Sequence, residues 1–122
     1  MKAGVLHARE DIRYEEVETP VPKAGEVLVK VKYSGICGSD VPRVNGDGAH
    51  FYPIILGHEF SGEVGEGVTK VKKGQRVAGA PLVPCMKCED CMKGDYALCK
   101  HYSFIGTRQP GSFAEYIEYD RS

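Results

Sequence analysis

A mainly β, barrel-like domain is what this sequence predicts, and three observations carry that reading. Apolar residues recur with a period of two in short runs, most clearly from Glu26 to Ser34, as expected of a strand with one buried face. Glycine and proline, 15 and 7 of the 122 residues, fall largely between those runs and punctuate them as turns. The alternation gives way between Pro84 and Cys99, where four cysteines replace it. Many short strands with turns of this kind argue for a barrel-like β domain rather than a doubly wound sheet.

Taken in order, Ala3 to Ala8 and Asp11 to Val17 read as a β-hairpin turning at Arg9-Glu10. Pro20 and Pro22 break pairing, and Lys23-Ala24-Gly25 turns into the strand Glu26 to Ser34. There Val27, Val29, Val31 and Tyr33 form the face expected to be buried, against Leu28, Lys30 and Lys32. Ser39 and Asp40 have N-cap chemistry and Pro42 suits a first helical turn, so one turn of helix is expected after Cys37. Asn45-Gly46-Asp47-Gly48 ends it, and Tyr52 to Gly57 returns the chain to His58. A strand from Glu59 to Val64 follows, then Arg76-Val77-Ala78-Gly79 after a lysine-rich turn, and a last strand from Ser112 to Tyr119.

Residues 1–122 have the length of one domain. A formal net charge of −1 leaves no basic footprint for nucleic acid or an anionic membrane surface. The N-terminus lacks the apolar run of a secretory signal and no later segment has the length of a membrane span, so a cytoplasmic location is expected. Five cysteines, odd in number and mostly clustered, fit metal ligation in a reducing compartment better than a disulfide framework.

Two groups of residues carry chemistry. Cys85, Cys88, Cys91 and Cys99 have the spacing of four thiolates that curl around one structural zinc ion. Two disulfides, a redox C-x-x-C pair and an iron–sulfur cluster are the alternatives, all weaker. The second group lies between Gly35 and Glu59, where Cys37, His58 and Glu59 supply sulfur, nitrogen and oxygen donors. A catalytic zinc takes three such ligands and keeps a fourth position open. A buried structural cysteine beside a surface His-Glu pair is the plainer reading of the same residues.

GICGSD at 35–40, LGHEFSG at 56–62, the four-cysteine segment and GSFAEY at 111–116 occur in an order and spacing that resembles the N-terminal, GroES-like catalytic domain of the zinc-containing medium-chain alcohol and polyol dehydrogenases. CGSDVPR, GAHFYPIILGHEFSG, PLVPC and FIG-x-R look most like the galactitol-1-phosphate 5-dehydrogenase and sorbitol dehydrogenase branch. The resemblance implies a GroES-like, partly open β-barrel with short helices and a zinc-binding lobe. It implies a catalytic zinc on Cys37, His58 and Glu59 and a structural zinc on Cys85, Cys88, Cys91 and Cys99. Ser39 would be the first hydroxyl of a proton relay, and Asp40 a carboxylate fixing the His58 tautomer. The implied reaction is hydride transfer from a polyol or sugar-alcohol phosphate to NAD or NADP, in a homo-oligomer of the full-length chain.

Departures from the family pattern qualify this. No G-x-G-x-x-G fingerprint follows a strand, so the cofactor half is expected to be missing and the fragment alone inactive. The run from Gly62 to Val68 is short for the family, which puts the pairing of that strand in question. Pro42 stands where some relatives place a relay histidine, leaving the proton's route beyond Ser39 unknown; His50 is a possible substitute. Arg43 and Arg108 have the guanidinium chemistry of a phosphate contact, although surface arginines are common. The rival reading is a self-standing zinc-binding structural or interaction module, which predicts no use for Cys37, His58 and Glu59.

Overall fold

The computed structural model describes residues 1–67 and 71–120. Its N-terminal hairpin follows the alternation: β1 (Lys2–Ala8) pairs antiparallel with β2 (Asp11–Glu16), turning at Arg9-Glu10. After the proline-rich connection comes β3 (Glu26–Gly35), and the segment after Cys37 forms α1 (Asp40–Asn45). The return towards His58 contains β4 (Ile54–Ile55), which pairs with β1 through Val5↔Ile55 and Leu6↔Ile54. The remaining elements are β5 (Glu59–Gly67), β6 (Arg76–Ala78), β7 (Leu82–Val83), α2 (Glu89–Met92), a 3-10 turn (Tyr96–Leu98), β8 (Ser103–Phe104) and β9 (Tyr116–Asp120).

These strands make three antiparallel sheets in the orders β2-β1-β4, β6-β5-β3-β9 and β7-β8. The fold is mainly β with short helices, and among the described residues the sheets do not close into a barrel. One apolar cluster joins Leu6, Ile54 and Leu56, with Phe113 packed against it; the other joins Val27, Val29, Phe60, Ile105 and Ile117. Each fully buried aliphatic side chain of this kind contributes about 1.5–3 kcal/mol. The two clusters hold the two sides of the structure from which the site is assembled.

The pairing of β3 with β5 corrects two expectations. Val27 and Val29 are buried as predicted, but Tyr33 is 78% exposed. Between Val31 and Tyr33 the register shifts, with Val31↔Gly62 followed by Tyr33↔Ser61, so β3 spends an extra residue there. One such residue turns every later side chain to the opposite face. Tyr33 goes to solvent, and the Ser34 hydroxyl lies 2.7 Å from that of buried Ser112. A second irregularity, between Val27↔Gly67 and Val29↔Val64, spends its extra residue on β5. The two shifts cancel, so pairing continues past Val64 to Gly67, farther than the sequence pattern indicates. Val68 lies outside the described residues.

Candidate metal centres

The ends of β3 and β5 are opposite one another. Gly35 pairs with Glu59, which puts Cys37, two residues beyond β3, and His58, one residue before β5, at the same end of an antiparallel pair. A Cβ on Gly35 would come 2.6 Å from Glu59 Oε2, so glycine there makes room for the glutamate. Gly57 turns the chain into His58 with φ +101°, a conformation glycine adopts at low cost. Ser112 donates its backbone N–H to the Gly57 carbonyl at 3.0 Å, and Phe113 donates to that of Leu56 at 3.0 Å. The GSFAEY segment thus clamps the His58 turn from behind while the Ser112 hydroxyl reaches Ser34 on β3, the strand that leads to Cys37.

As a result one donor atom each of Cys37, His58 and Glu59 lies within 4.8 Å of the others. His58 is buried with its ring 5.7 Å from that of Phe104, whereas Cys37 is half-buried and Glu59 exposed. The cluster therefore opens to solvent on its carboxylate side.

Asp40 is buried, at 3% exposure. It accepts a hydrogen bond from the Cys37 backbone N–H through Oδ2 at 3.0 Å, bracing the turn that presents the thiol. Its other oxygen, Oδ1, is 3.7 Å from His58 Nδ1 and 3.7 Å from Arg43 Nη1. Ser39 precedes α1 without a capping hydrogen bond from its side chain; its Oγ instead accepts from Arg43 Nη1 at 2.9 Å. The N-cap chemistry read for Ser39 is thus not used. Arg43 is turned into this cluster, while Arg108 is exposed, stacks over the Tyr102 ring at 4.2 Å and donates to the Tyr102 carbonyl. His50 is exposed on its loop.

The four-cysteine lobe is built locally. Pairing of β7 with β8, Val83↔Ser103 and Leu82↔Phe104, closes its base, an element the sequence pattern does not reveal. Above that base Cys85, Cys88, Cys91 and Cys99 bring their sulfurs within 4.8 Å of one another. Backbone N–H groups point at them: Cys85 N–H donates to Cys99 Sγ at 3.3 Å, and Cys88 N–H to Cys85 Sγ at 3.3 Å. The N–H groups of Cys91 and Lys100 draw the Cys88 thiol down to about 6, while burial pushes Cys91 up to about 12. All five cysteines are free thiols. Four sulfurs around a tetrahedral zinc, each about 2.3 Å from it, stand about 3.8 Å apart, and the Cys85 and Cys91 sulfurs are 4.0 Å apart. The lobe has the dimensions of a zinc site and not those of a disulfide pair.

An antiparallel β domain with a four-thiolate lobe and a separate sulfur–nitrogen–oxygen cluster, each able to hold a metal ion, defines a class of domains. This chain belongs to one family of that class: residues 23–122 match the alcohol dehydrogenase GroES-like domain. It is 52% identical over 106 residues to galactitol 1-phosphate 5-dehydrogenase of Escherichia coli K12, a match covering 84% of this chain and 31% of that protein. It is 43% identical over 123 residues to sorbitol dehydrogenase of Halalkalibacterium halodurans, covering 96% of this chain and 36% of that one. The crystal structure of galactitol-1-phosphate dehydrogenase from Escherichia coli superposes with a TM-score of 0.95 at 46% identity, over 99% of this chain and 36% of that chain. Other solved neighbours are described as bound to NADP, to NADH, and to cobalt and zinc. The chain spans about a third of the length of the relatives it matches. Among the described residues no helix is long and apolar enough to cross a membrane.

Proposed function

We propose that this chain is the catalytic domain of a zinc- and NAD(P)-dependent dehydrogenase that oxidises a polyol or sugar-alcohol phosphate. The observation that carries the reading is the convergence of Cys37, His58 and Glu59 across the paired ends of β3 and β5. That convergence also weighs against a purely structural zinc module, which has no use for these three residues. The donor set fits zinc, and the buried His58 Nδ1 facing Asp40 leaves Nε2 as the ring nitrogen for a metal. A zinc ion held there supplies Lewis acidity to the substrate's hydroxyl oxygen.

The protein's own groups do the rest. Asp40 orients His58 and braces the Cys37 turn, and the exposed side of the cluster at Glu59 admits a small, polar substrate. Ser39, two residues beyond Cys37, offers a hydroxyl for moving the substrate proton. Cys85, Cys88, Cys91 and Cys99 hold a second, structural zinc. The nicotinamide is assigned to residues outside this chain, which lacks the glycine fingerprint of a dinucleotide site. The relatives' names favour galactitol 1-phosphate or sorbitol as the substrate type.

The test is reduction of NAD or NADP by the complete protein supplied with galactitol 1-phosphate or sorbitol. Turnover that falls by roughly 10²-fold or more in Cys37→Ala is expected, because the electrostatic stabilisation of the transition state is lost. A protein that binds zinc only in the lobe and reduces neither cofactor with any polyol would overturn the reading.

A further inference from the structure

Among the described residues, the buried side-chain polar atoms without a hydrogen-bond partner are Asp40 Oδ1, Arg43 Nε and His58 Nδ1, and they stand together. They lack hydrogen bonds, although Asp40 Oδ1 stands 3.7 Å from both Arg43 Nη1 and His58 Nδ1, and a buried polar atom left without a hydrogen bond costs about 1–3 kcal/mol. Asp40 and His58 already belong to the metal centre described above. Arg43 does not, and its chemistry is the unexplained part.

A guanidinium donates hydrogen bonds and never accepts one. Arg43 Nη1 donates to Ser39 Oγ at 2.9 Å, so that hydroxyl commits a lone pair to the arginine and its own hydrogen is left for a different acceptor. Ser39 and Arg43 are four residues apart and Asp40 and Arg43 three, the spacings that share one face of a helical turn. Pro42, in the same turn, has no donor or acceptor in its side chain. The same Nη1 lies 3.7 Å from Asp40 Oδ1, the distance at which that oxygen also stands from His58 Nδ1, so the carboxylate is shared between the two. With its side chain only 19% exposed, Arg43 faces inward and is poorly placed to meet a phosphate from solvent.

We propose that Arg43 is a positioning residue for the reaction: by occupying one lone pair of Ser39 Oγ it fixes the hydroxyl so that the other lone pair takes the substrate's proton while the Ser39 hydrogen passes to solvent water, and it keeps Asp40 shared with His58. The inference rests on the dehydrogenase reading above. If Arg43 served only to brace α1 through Ser39, its removal would lower stability but leave sorbitol-induced changes in the cobalt bands and sorbitol turnover of the folded protein unchanged.

A double-mutant cycle separates the two. In the complete protein, with zinc kept in the four-cysteine lobe and cobalt(II) placed at Cys37 and His58, sorbitol binding is followed through the cobalt absorption bands and sorbitol turnover is measured alongside. Arg43→Met is expected to weaken both by about tenfold when Ser39 is present and by less than about twofold in Ser39→Ala, the non-additivity of residues that act as a unit. Arg43→Lys, which keeps the charge and a donor, should recover most of the loss. Equal losses in the two backgrounds, or a loss of stability in Arg43→Met with sorbitol binding and turnover of the folded protein unchanged, overturn the proposal. Should Arg43→Met fail to fold, Arg43→Gln in the same cycle reads the same coupling. An unmutated protein with no cobalt–thiolate band, or with bands that sorbitol leaves unchanged, would instead remove the dehydrogenase reading, and is distinguishable from additivity among active variants.

Discussion

The four-cysteine lobe and the Cys37–His58–Glu59 cluster both gather metal-ligand atoms within 4.8 Å, but they are assembled by different physics. The lobe draws all its ligands from one continuous stretch between Cys85 and Cys99, shaped by backbone N–H groups that point at sulfur. Little apolar surface is buried there: Met86, Met92 and Leu98 are exposed. The cluster takes its ligands from segments on either side of α1, and a buried core with a strand register sets their spacing. A site made from one short segment depends on its metal for order. A site made from distant segments inherits order from the fold, and its metal is free to serve chemistry.

The largest expected effect breaks that contrast at the lobe. Removing metal with a strong chelator should abolish the protection of backbone amides between Cys85 and Cys99 from hydrogen exchange, while β3 and β5 stay protected. Loss of protection throughout the chain, or none in the lobe, would mean that the two regions are not separable in this way.

Next comes the fold that sets the cluster. Gly57→Ala forces a side chain into φ +101°, with its Cβ 2.5 Å from Ser112 Oγ and 2.9 Å from the Phe113 backbone nitrogen. A loss of about 3 kcal/mol is expected, combining left-handed strain with the clash. Urea unfolding measures it, and metal at Cys37 and His58 should fall while metal in the lobe remains.

Cys37→Ala probes the opposite side of the comparison. It should remove one metal equivalent per chain yet shift stability by less than about 1 kcal/mol, because the thiol is half-buried and outside both apolar clusters. Elemental analysis beside the unfolding curve checks both halves of that expectation. A stability loss as large as that of Gly57→Ala would show that the cluster, too, relies on its metal to fold.

The smallest effect sharpens the chemistry of the lobe. The Cys88 thiol is held at about 6 by backbone N–H groups and that of Cys91 at about 12 by burial, so in the metal-free protein at neutral pH iodoacetamide should label Cys88 well before Cys91. The depressed Cys88 value favours the thiolate above it. That contribution, and with it lobe zinc affinity, should decline as pH falls through about 6, since protons then compete for the sulfur. Mass spectrometry of partly alkylated protein and zinc competition at several pH values read the two effects.

What the sequence determined by itself is whatever depends on near neighbours. Cys85, Cys88, Cys91 and Cys99 lie so close along the chain that their spacing already nominates one four-thiol group, which the structure brings together, and alternation over a few residues sufficed for the N-terminal hairpin and the buried face of Val27 and Val29. Cys37, His58 and Glu59 could be nominated as ligands by their chemistry and by a resemblance, but nothing local brings residue 37 to residue 58. The tertiary structure alone decided that, through two one-residue shifts that cancel along β3 and β5 and leave Gly35 opposite Glu59. The shift between Val31 and Tyr33 sent Tyr33 to solvent against its period, and contacts distant in sequence set the Phe104 ring beside His58. Register is a property of two strands together: a side chain's face depends on where the partner's extra residue falls, and that is set by packing across the sheet and not by either strand's own sequence.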